Sequence, residues 1–305
     1  MRRQARALIG SLLVTACGRV AFDERPDAID AFDLCVAERE KLGAWSAPRP
    51  LTTVNHPTET EDDPVVSSDG RELYFTSPRP PNLGQSDVWR ATRTSPDDPW
   101  GAPQPVPELS TARNENTLEL SNDALTMWFA SDRDGSLGNE DMWVVTRPDR
   151  SSAWETPVNV MELNTSGLER GPSVFLDDTA ILFHTGRAGG PGGQDFWVAT
   201  RADRNAGWSA PRPLASPPNT PADELRGWMS PCGLELYFQS SRGATMDFYV
   251  VRREALDQPF GPERRIDELS EPALYDQDLR LSPDRRHVVF ATERSGGGDL
   301  YESSR

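Results

Sequence analysis

One line of sequence is written five times. Phe75, Phe129, Phe183, Phe238 and Phe290 stand 54, 54, 55 and 52 residues apart, each closing an apolar, β-favouring run: LYF, MWF, ILF, LYF and VVF. Four residues beyond each Phe is an arginine: Arg79, Arg133, Arg187, Arg242 and Arg294. An Asp-x-aromatic follows: Asp87 with Trp89, Asp141 with Trp143, Asp195 with Trp197, Asp247 with Tyr249, and Asp299 with Tyr301. Six residues past each aspartate comes a second arginine: Arg93, Arg147, Arg201, Arg253 and Arg305. Ahead of each apolar run stands an acid (Glu61, Glu115, Glu169, Glu224, Asp276), and upstream of each unit an aromatic (Trp45, Trp100, Trp154, Trp208, Phe260). Agreement at this many offsets marks a structural repeat, and the repeat decides the fold.

Each unit parses into four short strands. The first, such as DPVVSS, ends in a turn rich in Ser, Asp and Gly, residues that suit tight reversals. The second is the apolar run, whose near-continuous apolarity requires cover on both faces. The third, DVWRATR and its equivalents, alternates with period two. The fourth follows an aromatic-Gly/Ser-x-Pro signal; proline fits an outermost strand, where the missing N–H costs no ladder bond. Four-stranded units of about fifty residues predict an all-β β-propeller, because a lone twisted blade cannot cover its own apolar faces. The last unit stops after its third strand, and the first is preceded by a lone outer-strand signal, Trp45 to Leu51. The expected architecture is therefore a five-bladed propeller over residues 44–305, closed by the outer strand 44–53 joining the last blade.

The amino terminus has a different character. Arg2, Arg3 and Arg6 precede a ten-residue apolar stretch, Ala7 to Ala16, too short to span a bilayer. The segment Val14-Thr15-Ala16-Cys17 resembles a bacterial lipobox, which implies that 1–16 is a signal peptide and that Cys17 is lipidated. Gly18 follows, not aspartate, which favours the outer membrane. Residues 17–43 read as anchor and tether, with Ile29, Phe32 and Val36 at the spacing of a short helix over 27–41. Cys35 and Cys232 remain in an oxidising compartment, where pairing is open.

The chain carries a net charge of −16, which repels nucleic acid and anionic lipid. Membrane contact is expected through the amino-terminal lipid only, and the molecule is expected to be a monomer. In a propeller the acid heading strand one, the arginine after strand two and the aspartate opening strand three meet on one face. Two readings are open for these residues. One is a five-fold clasp in which each arginine donates to both carboxylates and ties down its hairpin. The other is a ring of acids round the axis, able to hold calcium or a cationic peptide. No other cofactor is expected.

His56, His184 and His287 fall at different offsets, beside no nucleophile and at no metal-ligand spacing, and no GxSxG or HExxH string occurs. The glycine-rich loops 133–141 and 187–195 precede no helix and read as strand-joining turns. A glycosidase would need two carboxylates with different roles, whereas the repeated acids are alike in every unit. Departures from the repeat are the pointers to function: Phe175 where other units have Ser, Asp177 and Asp178 beside it, Trp228, Cys232, and the loops 53–62 and 216–226.

The string S-x-D-G…L-x-F-x-S-x-R…D-x-W resembles the WD40-like repeat of TolB-type periplasmic propellers, and does so five times in phase over nearly all of 44–305. The resemblance implies an envelope-located, protein-binding scaffold. It departs from the family in lacking the small α/β domain before the propeller, in having five blades instead of six, and in having no peptidoglycan-binding domain after it. The expectation is thus an outer-membrane lipoprotein, periplasmic or surface-exposed, whose propeller binds a protein or glycan of the envelope. A carbohydrate-active enzyme using axial carboxylates is the alternative.

Overall fold

In the computed structural model, which describes residues 42–243, 245–271 and 274–305, each apolar run is the second strand of a four-stranded antiparallel sheet. A lone strand, β1 (Arg49–Pro50), precedes the first unit. Blade one is β2 (Asp62–Val66), β3 (Glu72–Ser77), β4 (Asp87–Thr92) and β5 (Gln104–Pro105). Blade two is β6 (Glu115–Leu120), β7 (Thr126–Ser131), β8 (Asp141–Thr146) and β9 (Val158–Asn159). Blade three is β10 (Glu169–Phe175), β11 (Ala180–Thr185), β12 (Asp195–Thr200) and β13 (Arg212–Pro213). Blade four is β14 (Glu224–Met229), β15 (Glu235–Ser240), β16 (Asp247–Arg252) and β17 (Arg264–Arg265). Blade five takes β18 (Asp276–Leu281), β19 (His287–Thr292) and β20 (Asp299–Ser304), and completes itself with β1.

The inner strands touch in a closed circle, β2 to β6 to β10 to β14 to β18 and back to β2. The apolar second strands are sandwiched between neighbouring blades, as their composition requires: β3, β11 and β15 are buried at every residue. Phe75, Phe129, Phe183, Phe238 and Phe290 are each fully buried. The chain is a five-bladed β-propeller.

Closure is made where the sequence predicts it. Arg49 pairs with Glu302 and Pro50 with Tyr301. Flanking bonds extend the seam: Ser46 N donates to Ser304 O at 2.8 Å, Leu51 N to Leu300 O at 2.9 Å, and the Asn55 amide bonds both backbone groups of Leu300.

Two features differ from the sequence reading. The fourth strands are only two residues long, because proline stands in or beside most of them and cannot donate to the ladder: Pro50, Pro105 and Pro213 each sit opposite the aromatic of strand three. Every first strand is also broken by a bulge, with Asp63, Thr117, Gly171, Arg226 or Asp278 in the left-handed region. Period-two patterning carries no sign of an extra residue that leaves the register on both sides readable. The leader 1–16, Cys17, Cys35 and the helix expected over 27–41 lie outside the described residues.

Removing residues 44–53 takes away the outer strand of blade five and exposes the edge of β20. Calorimetry should show the truncated chain losing the single sharp transition of the full chain; an unchanged transition would refute closure as the source of cooperativity.

Candidate functional site

The repeated charges form two arginine clasps per blade, one on each face. On the face where second strands pass to third, the first arginine is packed against two rings and a carboxylate. In blade two the Arg133 guanidinium lies 4.6 Å from the Phe129 ring and 5.5 Å from Trp143, with Nη2 3.1 Å from Glu115 Oε1. The same Nη2 donates to Leu109 O at 2.6 Å, on the segment arriving from the previous blade. Arg79 with Glu61, Arg187 with Glu169, Arg242 with Glu224 and Arg294 with Asp276 repeat the arrangement, donating to Val54, Leu163, Pro218 and Leu269 carbonyls. Each acid also accepts a backbone N–H, from His56, Thr111, Thr165, Thr220 and Glu271 in turn.

The aspartate opening strand three does not join this clasp, contrary to the expectation of one arginine between two carboxylates. Asp87, Asp141 and Asp195 instead accept amide N–H groups of their own hairpin loops, from Leu83, Leu137 and Gly192. Asp247 accepts from Arg265, and Asp299 from the Ser295 hydroxyl. The reason is local: in the first three blades the amides that reach the carboxylate belong to the hairpin loop that the aspartate closes, three or four residues before it. The repeated acids also form no ring of ligands. All five are fully buried, and among the described residues no group of three or more His, Cys, Asp or Glu side chains could hold a metal ion.

The second arginine and the upstream aromatic, to which the sequence assigns no contact, are each other's partners on the opposite face. Arg93 lies 4.0 Å from the Trp100 ring, Arg147 4.5 Å from Trp154, Arg201 4.3 Å from Trp208, Arg253 4.7 Å from Phe260, and Arg305 4.1 Å from Trp45. Their Nε atoms donate to Gly70, Ala124, Asp178, Gly233 and Arg285 carbonyls, and each of those five residues is left-handed. Each clasp thus fixes the turn between strands one and two. The fifth spans the two ends of the ring.

Where the repeat lapses, the axis is plugged. Arg226 of blade four contacts Asp278 of blade five and lies 3.6 Å from Asp63 of blade one, which is not its neighbour. Such a contact is made only across the axis. Nearer the turns, Arg280 of blade five reaches Glu119 of blade two, also a non-neighbour, at 3.5 Å. Gly171 makes room for this packing: at φ +63°, a Cβ there would meet His184 Nδ1 at 2.7 Å and Arg226 Cα at 3.1 Å. His184 is held well below its ordinary pKa by burial and by Arg226, so its neutral Nδ1 accepts the Arg226 N–H.

The Arg280–Glu119 pair is the floor of a pocket of about 40 Å³ opening at the turn face. Val174, Phe175, Trp228, Met229 and Leu281 wall it, and Ser68, Asn122, Asp177 and Asp178 stand at its rim. Four of the departures singled out in the sequence therefore converge here. In the other blades a Ser at the Phe175 position accepts turn amides, as Ser67 does from Glu72 N. Phe175 lacks a hydroxyl, and its turn runs instead through three successive left-handed residues, Leu176, Asp177 and Asp178, braced by Arg204. Cys232, in the adjacent turn of blade four, is buried and disulfide-bonded. The loops 53–62 and 216–226 lie on the other face, where they supply clasp acids and carbonyls.

No protein-family model matches the chain, and no curated protein matches it in sequence. Its fold is similar to TolB from Acinetobacter baumannii (TM-score 0.52, 14% identity, 81% of this chain) and to a putative TolB from Agrobacterium tumefaciens (0.50, 18%, 82% of this chain and 79% of that one). The likeness is one of fold alone. The chain spans about half the length of the Acinetobacter protein, 54%. An α-L-arabinofuranosidase from Podospora anserina is similar as well, with TM-score 0.55 and 10% identity over 86% of this chain and 96% of that one.

Two substitutions probe the axis. Gly171→Ala should cost about 2 kcal/mol or more in chemical denaturation, since it adds a Cβ clash to a left-handed backbone; a neutral change would contradict the packing. The Glu119 carboxyl is pushed up to about 7 by burial, with Arg280 opposing. A folded state that holds a proton more tightly than the unfolded chain keeps the full contribution below the unfolded pKa and loses it progressively as pH rises to the folded one. The melting temperature should therefore fall more steeply between about pH 4.5 and pH 7 in the wild type than in Glu119→Gln.

Proposed function

We propose that the chain is an outer-membrane lipoprotein, anchored in the envelope through Cys17, whose propeller is a non-enzymatic binding module for an envelope protein. The observation that carries this reading is the convergence of the residues that break the five-fold rule, Glu119, Phe175, Asp177, Asp178, Trp228 and Arg280, on one pocket at the turn face. Residues under only structural demand follow the repeat, and these do not. The resemblance of the repeat to TolB-type propellers supports an envelope setting, and the net charge of −16 disfavours nucleic acid.

The likeness to an arabinofuranosidase raises the second reading, hydrolysis by axial carboxylates. Weighing against it, Asp63 and Asp278 face Arg226, and Glu119 faces Arg280. A general acid and a nucleophile or base must flank an open substrate site, and these carboxylates flank arginines.

The test must respect one property of the sequence: Lys41 is its only lysine, so amine-directed cross-linkers have almost nothing to attack. A photo-reactive residue at position 122, on the pocket rim, should give a discrete adduct in intact membranes, and one at position 137, on the other face, should not. An adduct from 137 alone would overturn the turn-face reading. Hydrolysis of arabinan that is lost in Asp63→Asn would establish the enzyme instead.

A further inference from the structure

The turn between strands one and two of blade four is built unlike the other four. Asp69, Asp123, Asp177 and Asp284 stand exposed in theirs, and two residues on Arg71, Leu125, Thr179 and Arg286 also touch solvent. In blade four these two positions are Cys232 and Leu234, each 1% exposed. The pair forms a small apolar cluster of its own, separate from the clusters between blades. The Cys232 sulfur lies 3.4 Å from the Ser230 hydroxyl and is disulfide-bonded. The chain has three cysteines, so a partner within it is Cys17 or Cys35. The amino-terminal end of the described chain lies nearby on the same face. Arg305 is 4.1 Å from the Trp45 ring and 5.8 Å from the ring of Tyr237, which follows Cys232 by five residues in blade four. Leu42 comes seven residues after Cys35, a reach of up to about 25 Å when extended.

We propose that Cys35 is the partner of Cys232 and that the bond is a staple. It fixes the segment that feeds β1 to the turn of blade four, and so guards the seam on which closure of the ring depends. The seam needs a guard because β1 is short. It holds by two register pairs, Arg49 with Glu302 and Pro50 with Tyr301, flanked by the Ser46–Ser304 and Leu51–Leu300 bonds. The chain leaves toward its amino terminus from the Ser46 end, so fraying or a pull from the lipid breaks these bonds one at a time. With Cys35 bound to blade four, a peeled β1 stays beside its own edge and re-forms the seam at high effective concentration. Cys17 is excluded because its thiol carries the lipid in the anchored protein, and the inference rests on that reading. The Cys232 of a second copy is excluded by burial. Closing the bond takes one proton and one electron from each thiol. All four pass to a protein disulfide of the oxidising envelope, which becomes a dithiol.

The test begins with non-reducing peptide mapping of the full protein purified from membranes, with free thiols alkylated at lysis. A peptide joining Cys35 to Cys232 is expected, with Cys17 on a lipid-modified peptide. An alkylated Cys232 beside a lipidated Cys17 would overturn the staple and leave the anchor standing. A Cys35–Cys232 peptide beside an unlipidated Cys17 would do the reverse, and a Cys17–Cys232 peptide would overturn both. Hydrogen exchange reads the role of the bond. In Cys35→Ser the amides of Ser46 and Leu51, which bond across the seam, should exchange about tenfold faster or more, while that of Phe129 in blade two keeps its protection. Reduction of the wild-type protein should have the same effect, and decides the matter if the variant fails to fold. Unchanged exchange at the seam, or an equal rise in blade two, would overturn the staple as a guard of closure.

Discussion

The structure depends on drawing ten guanidinium groups wholly or partly out of water, each with at least one hydrogen bond to hold it. A cation withdrawn from water is tolerated only when hydrogen bonds and counter-charge replace its hydration. Each blade meets the condition twice. On one face a carboxylate, a carbonyl and two aromatic rings surround the first arginine; on the other a turn carbonyl and one ring receive the second. Lysine could not substitute, because its ammonium has no flat face to lay on a ring and no fork to divide between an anion and a carbonyl. The chain follows that rule: of its 32 basic residues only Lys41 is lysine. Arginine here acts as a hydrogen-bonding strut between strands that belong to different parts of a blade.

This explains which parts of the molecule are legible in sequence. The blade number, the identity of each second strand and the closure by the first outer strand follow from patterns repeated in phase, and repetition suppresses accident. The position of the first arginine and its acid is legible for the same reason. The partner of the second arginine is not, because Arg305 and Trp45 are linked only once the ring is closed, and Arg93 and Trp100 look like two unrelated surface residues until the turn between them is built. The role assigned to Asp87 and its equivalents fails for a complementary reason: in the first three blades the amides of the hairpin loop that the aspartate closes were the competing donors.

The axis is legible only by contrast. Asp63, Thr117, Gly171, Arg226 and Asp278 occupy one bulge position in five blades and follow no common residue type. Read singly they look like noise in the repeat. Together they form a cross-axis ion pair, with a glycine that yields space to His184, and two residues further on Glu119 and Arg280 form a second pair. Symmetry supplies the scaffold; broken symmetry supplies a floor, walls and a mouth on the turn face. A five-fold ring with five identical inner strands would present five identical weak features at its axis, whereas this one presents a single pocket.

The central claim is that each buried arginine and its acid act as one unit. A double-mutant cycle in blade two, with Arg133→Met, Glu115→Gln and the double variant, measures it through the free energy of chemical unfolding. Coupling above about 1.5 kcal/mol is expected, with the double variant little worse than the worse single one, because removing either partner strands the other away from water. Additivity to within about 0.5 kcal/mol would show that the two groups are buried side by side without depending on one another, and would contradict the account.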